Sequence, residues 1–246
     1  MSNLLKMEKY HLLHNRVYWF GIIGVFLIGF FTADTYIQDL LNDVNSVALM
    51  SLSGIFDKMV YDSTFLLIII SCLIALILGQ EFSNRTITLE ITAGHSRKEI
   101  FISKVIVYLI FFNIMAVVYP IAGCLKEYGY FGIPDIGNFI YHVGKDIFYS
   151  FLLNSGTFLI AIWICFCLKN AAKSVAITVA AVFVLSLYLG YGMMLKFPVD
   201  FLPTYQIRLA VSSINFILFP AIIIGVLWIG ILIILSWCTF QKSDFK

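Results

Sequence analysis

The sequence predicts an all-α integral membrane protein with six transmembrane helices, and three observations carry that prediction. Hydrophobic residues make up 61% of the 246-residue chain and charged ones only 12%, whereas a water-soluble domain carries about a quarter charged residues. Six apolar runs approach or exceed the ~20 residues that a helix needs to cross a bilayer core. Between the second and third runs lies a polar island, 81–104, EFSNRTITLEITAGHSRKEIFISK, too charged to sit in hydrocarbon.

The runs are Val17–Ala33, Thr64–Gly79, Val105–Leu125, Ile147–Leu168, Ser174–Leu195 and Phe216–Thr239. The first follows Lys6, Lys9 and Arg16 and shows no convincing cleavage site, so it is expected to be an uncleaved span and not a signal peptide. Ahead of it, Leu4, Leu5, Met7, Leu12 and Leu13 alternate with polar and charged residues. This predicts a short amphipathic helix on the membrane surface over residues 1–16; a frayed terminus is the alternative.

The island reads as a helix end, a short amphipathic helix, a turn and a new helix start. Glu81 precedes Arg85 by four residues, a spacing at which one continuing helix would pair them. Ile87, Glu90 and Ile91 share a helix face, and Ala93-Gly94 supplies a stop. Ser96 and Glu99 form an S-x-x-E capping box that starts the helix entering the third run. The result is a rigid hairpin outside the membrane, suited to being gripped by a partner. The alternative is a solvated loop whose charges only set topology.

Placing the N-terminus inside puts Lys6, Lys9, Arg16, Arg85, Arg97, Lys98, Lys104, Lys169, Lys173, Lys242 and Lys246 on the inner side. Lys58, Lys126, Lys145, Lys196 and Arg208 then fall outside. Eleven against five predicts cytoplasmic termini and a cytoplasmic hairpin. Asp34, Asp39, Asp43, Asp57 and Asp62 crowd the first outer loop, where Ile37, Leu40, Leu41 and Val44 keep helical spacing. The last outer connection is apolar (Phe197, Pro198, Phe201, Leu202, Pro203, Ile207, Leu209, Val211). It is expected to dip back into the membrane, where irregular backbone is tolerated only under a cover of protein or water, or to lie as a surface helix.

Within the spans, Ala172, Ala176 and Ala180 form a small-xxx-small face for close helix approach, expected to pack within the subunit, with a dimer contact as the alternative. Pro120 and Pro220 fall inside spans and can bend them, so both are candidates to line a path. Asn113 and Asn154 are expected mainly to bond between helices, with substrate contact as the second reading. No clear charge lies mid-span, which argues against a proton- or sodium-driven carrier. The histidines make no HExxH pattern, and no nucleophile elbow, phosphate-binding loop or basic nucleic-acid-binding domain is recognisable. The five cysteines lie in or beside apolar runs and imply no disulfide framework. The chain is expected to be no enzyme by itself.

Glu81, the Arg85-Thr86-Ile87 step, and Gly94-x-Ser96-Arg97-x-x-Ile100 followed by Lys104 carry a resemblance. With six spans, an amphipathic N-terminal helix and the polar hairpin, the chain resembles the ABC-2 type permease, the membrane subunit of a bacterial ATP-binding-cassette exporter. The motif covers about two dozen residues and the topology most of the chain. The resemblance implies a single permease domain, 1–246, in the bacterial plasma membrane, with 1–16 as a connecting helix and 81–104 as the coupling hairpin. Glu81, Arg85, Ile87, Glu90, Ile91, Ser96 and Arg97 would then couple to a separate ABC ATPase subunit that holds the ATP and Mg, so this chain carries no cofactor. A second permease copy or a homologous permease would complete the path, whose candidates here are Asn113, Pro120, Asn154 and Pro220. Lipids would surround it, and nucleic acid would play no part. Without a large outer domain, the chain is similar to the small permeases of antibiotic-resistance and lantibiotic-immunity systems. Its expected cargo is amphipathic or hydrophobic, such as a peptide antibiotic, drug or lipid. A non-transporting membrane sensor or immunity scaffold would share the topology.

Overall fold

The computed structural model describes residues 2–42, 51–133, 135–213 and 218–242. Ten helices make up the described chain: α1 (Ser2–His14), α2 (Arg16–Asn42), α3 (Leu52–Tyr61), α4 (Thr64–Ser83), α5 (Thr86–Thr92), α6 (Arg97–Phe131), α7 (Ile136–Leu168), α8 (Ala171–Leu195), α9 (Pro203–Ser212) and α10 (Phe219–Gln241). Six of them, α2, α4, α6, α7, α8 and α10, are long and apolar enough to cross a membrane. This is an all-α, multi-pass membrane protein. The first and last helices both reach the start of α6 at one end of the bundle: Lys104 on α6 donates to Glu8 on α1, and Arg97 donates to the carbonyl of Gln241 at the end of α10.

The core is built around α4, α6 and α7, whose buried residues form one apolar cluster with α1, α2 and α10 packed on it. Small residues set how near the outer helices come. A side chain on Gly79 would meet the Ala171 backbone at 2.7 Å, so α4 and α8 touch almost backbone to backbone. The expected Ala172, Ala176 and Ala180 face does not serve this packing, because all three are exposed. α8 instead turns Ser174, Thr178, Val182, Leu189 and Gly192 inward. Small residues permit a close approach on any face; the neighbours available decide which face is used.

The apolar stretch after α8 folds back along the bundle. Pro203 reaches Gly156, well inside α7, and side chains bond three carbonyls of the largely exposed turn ahead of α9. Tyr188 donates to the Pro198 carbonyl (2.9 Å), Trp228 to Phe201 (2.8 Å) and the Gln206 side chain to Asp200 (2.6 Å). Ile37, Leu40, Leu41 and Val44, with Asp39, Asp43 and the last-span start at Phe216, lie outside the described side chains.

Three helices outrun the expected spans by eight residues or more, and the first of them, α2, continues nine residues past Ala33. α6 begins eight residues before Val105, and α7 begins eleven before Ile147. Lys104, Lys145 and Asp146, expected in connections, therefore lie within helices and are buried. Pro120 does sit inside α6, whereas Pro220 occupies the first turn of α10, where its missing N–H costs nothing, and it does not bend that helix.

Candidate functional site

Four helices converge on one lysine ammonium at the end of the bundle where α1 and α10 reach the start of α6. Lys104 of α6 is 1% exposed, and its Nζ donates to Glu8 Oε1 of α1 (2.7 Å), Glu81 Oε2 of α4 (2.6 Å) and Glu90 Oε1 of α5 (3.1 Å). An ammonium has three N–H donors, and all three are used. Tyr108, one helical turn beyond Lys104, donates to the second oxygen of Glu81 at 2.9 Å.

Local sequence delivers each group to this point. On α1, Glu8 lies midway between Leu4 and Leu12, all at four-residue spacing and all buried, so a lone carboxyl rides the apolar face. α4 ends at Ser83, and Arg85 adopts a left-handed conformation (φ 57°) that turns the chain into α5. On α5, Ile87 and Glu90 face inward and are buried, with Ile91 packed beside them. Gly94 at φ 93° ends the hairpin. Ser96 then caps α6 by accepting from the Glu99 N–H (3.3 Å), and its hydroxyl donates to Glu99 Oε2 (2.9 Å), so the two residues of the expected S-x-x-E pair meet at the helix start.

The Glu81–Arg85 pair predicted from spacing does not form. An i,i+4 pair requires a continuous helix, and α4 stops two residues before Arg85. Glu81 is committed instead to Lys104 and Tyr108, while Arg85 is exposed. The structure thus brings Glu81, Ile87, Glu90 and Ile91 together on the inner side of the hairpin. It leaves Arg85 and Ser96 on the outside and ties Arg97 to the end of α10 through its bond to Gln241 (2.8 Å). Glu8 and Tyr108 escaped the sequence reading. The available signal for Glu8 was an acid occupying an i,i+4 slot between two leucines.

Three carboxyls around one ammonium leave an excess of negative charge. Burial, opposed by Lys104 and reinforced by Glu81 and Glu90, pushes Glu8 up from its ordinary 4.5 to about 7. The folded chain therefore keeps a proton that the unfolded chain releases. Stability from this group is fully present below pH 4.5 and is lost as pH rises through about 7. We expect Glu8→Gln to flatten the thermal-stability profile over that window, removing a slope worth on the order of 3 kcal/mol; an unchanged profile in detergent melts would contradict this.

The path candidates sit elsewhere. Asn113 donates to Ser155 of α7 at 3.0 Å and to the Leu109 carbonyl, so it joins helices as expected. Asn154 and Pro120 line a common void of about 10 Å³, room for about one water. Pro220 is exposed and does not line that void.

No family model matches this chain, and no curated protein matches it.

Proposed function

We propose that the chain is the transmembrane subunit of an ATP-driven exporter of the ABC-2 type, in a bacterial plasma membrane with cytoplasmic termini. A separate ABC ATPase, holding ATP and Mg, would grip the 81–104 hairpin. The observation that carries this reading is the two-sided character of α5. Its inner face is bound through Lys104 to α1, α4 and α6, while Leu89 on its outer face is 66% exposed and flanked by exposed Arg85 and Thr92. A partner that moves α5 must therefore move the connecting helix and the ends of two spans with it. Closure of the ATPase pair would drive transport to the extent that it binds one hairpin position better than the other. The chain itself would perform no ATP chemistry.

The void between Pro120 and Asn154 is far too small for cargo. This supports a path between two permeases, either copies of this chain or one copy with a homologous partner. The exposed Ala172, Ala176 and Ala180 face offers a surface for close approach. Aromatic-rich spans favour an amphipathic or hydrophobic cargo, namely a peptide antibiotic, drug or lipid.

Purification of the tagged chain from its native cell in mild detergent is expected to bring down an ATP-hydrolysing subunit. Leu89→Asp and Arg85→Glu should each retain about tenfold less of it, a loss of about 1.4 kcal/mol, with the chain's own melting unchanged because neither side chain is buried. A chain that purifies alone, or variants that keep both partner and transport in full, would reject the reading.

A further inference from the structure

At the end of the bundle opposite α1, the carboxyl groups of Asp57 on α3 and Asp146 on α7 are neighbours: Asp57 reaches His142, which lies one helical turn before Asp146 on α7. Asp146 is fully buried, and neither of its oxygens has a hydrogen-bond donor; Asp57 Oδ1 has none either. The nearest cation, Lys145, is spent elsewhere. Its Nζ donates to the Ser213 carbonyl at 2.7 Å and points towards that of Val211 at 3.5 Å, at the end of α9, and stands 3.7 Å from Asp146. His142 of α7 lies 4.0 Å from Asp57 Oδ2. From α6, Cys124 also faces Asp57, with its thiol directed to the Leu52 carbonyl. Other charges nearby are paired away from the carboxyls: Asp62 with Arg208 of α9, and Asp34 of α2 with Lys126 of α6. Lys58 lies over the Tyr61 ring.

Two ionised carboxylates cannot bond to one another, and each buried without a donor costs several kcal/mol or more. A single proton between them removes both difficulties. It makes an O–H···O bond and leaves one negative charge to balance the one positive charge of Lys145. We propose that Asp57 and Asp146 form a proton-binding site that shares one proton, and that loss of this proton loosens the joint between α3, α7 and α9.

Proton access and the mechanical consequence both follow from position. Asp57 is 24% exposed and opens on a cleft of about 590 Å³ shared with Ser51, Ser53, Asn138, His142 and Ser213, so the site exchanges with the solution on that side. Asp146 sits one residue from Lys145, which pins the end of α9. Repulsion between two bare carboxylates would therefore act on α3 and α9 together. Burial, assisted by Asp146, pushes Asp57 up from 3.8 to about 8. A folded pKa above the ordinary one means that the closed joint is strongest at low pH and weakens as pH rises, levelling off above about 8. The site is independent of the ATP-driven reading and of the Lys104 cluster.

The test uses the full chain in lipid nanodiscs between pH 5 and 9.5. Infrared difference spectra should show a protonated-carboxyl band that titrates near pH 8 in a Glu8→Gln background and vanishes in Asp57→Asn, whose amide keeps the bond to Asp146 without a titrating proton. Hydrogen exchange of α3 and α9, corrected for intrinsic rate, should rise with pH by several-fold per unit, bounded at about tenfold, up to about pH 8. It should stay flat in Asp57→Asn. If that variant does not accumulate, Asp146→Asn takes its place; failing both, the titrating band in a chain carrying Glu8→Gln and Glu127→Gln, which removes the other buried carboxyl among the described residues outside the pair and the Lys104 cluster, decides the matter. Absence of that band at pH 6, or an Asp57→Asn chain with the same band and exchange profile, overturns the proposal.

Discussion

Replacing Lys104 with methionine is expected to give the largest single loss of stability in this protein. The substitution keeps most of the side-chain volume but leaves Glu8, Glu81 and Glu90 facing one another without their common donor. Lys104, Glu8 and Glu90 are each less than one-tenth exposed, so water cannot replace the lost bonds. Breaking a buried ion pair by removing one partner costs about 3–5 kcal/mol, and here three acceptors are orphaned at once. The damage should be local in origin. Hydrogen exchange of α1 and α5 should rise first, because each is tied to α6 through one carboxylate. Neutralising the acids should reverse much of it: Lys104→Met with Glu8→Gln and Glu90→Gln should melt well above Lys104→Met alone. Lys104→Arg should not rescue, since a planar guanidinium cannot reproduce the three-way donation of an ammonium. A Lys104→Met chain that melts with the wild type would show that the cluster holds nothing together.

The second large effect is expected at Gly29. A Cβ there would fall on the carbonyl oxygen of Tyr119 and lie 3.1 Å from the Ala122 methyl. Both belong to the α6 face that α2 packs against, and a helix carbonyl cannot move aside as a flexible side chain can. Gly29→Val must push α2 away, breaking the contacts of Tyr119 Oη with Tyr36 Oη (2.9 Å) and Thr32 Oγ1 (3.3 Å). Overpacking a core costs about 1–3 kcal/mol even where side chains can give way, so the loss here should reach or exceed the upper figure. Gly24 is the internal control. It lies on the same helix, but a Cβ there meets nothing within 4 Å, so Gly24→Val should melt within about 0.5 kcal/mol of wild type. Equal melting of the two variants would rule out the close α2–α6 approach.

Much of the architecture was legible because its causes are local. Apolar runs of spanning length define the six long helices, and the alternation of leucines with polar residues defines α1. Ser96, Glu99 and Gly94 mark the hairpin's turn and the start of α6, because caps act within one helical turn. The misreadings arose where a local rule met a longer-range competitor. Glu81 had a lawful helical partner in Arg85, yet the helix ended at Ser83 and a buried lysine took the carboxylate. The alanines of α8 were suited to close packing, yet the chain met α4 on another face.

The sequence by itself determined an all-α membrane protein, its six span-length helices and a polar turn of chain between two of them, since hydrophobicity, periodicity and capping are properties of neighbouring residues. Only the tertiary structure decided which charges meet. Glu8 and Lys104 are 96 residues apart, and Asp57 and Asp146 lie on helices that are not consecutive in the chain. The physical reason is that a charge is costly to bury alone and tolerable once paired. The burial of Lys104 and Asp146 therefore depends on partners that no local pattern specifies, and helix packing is what delivers them.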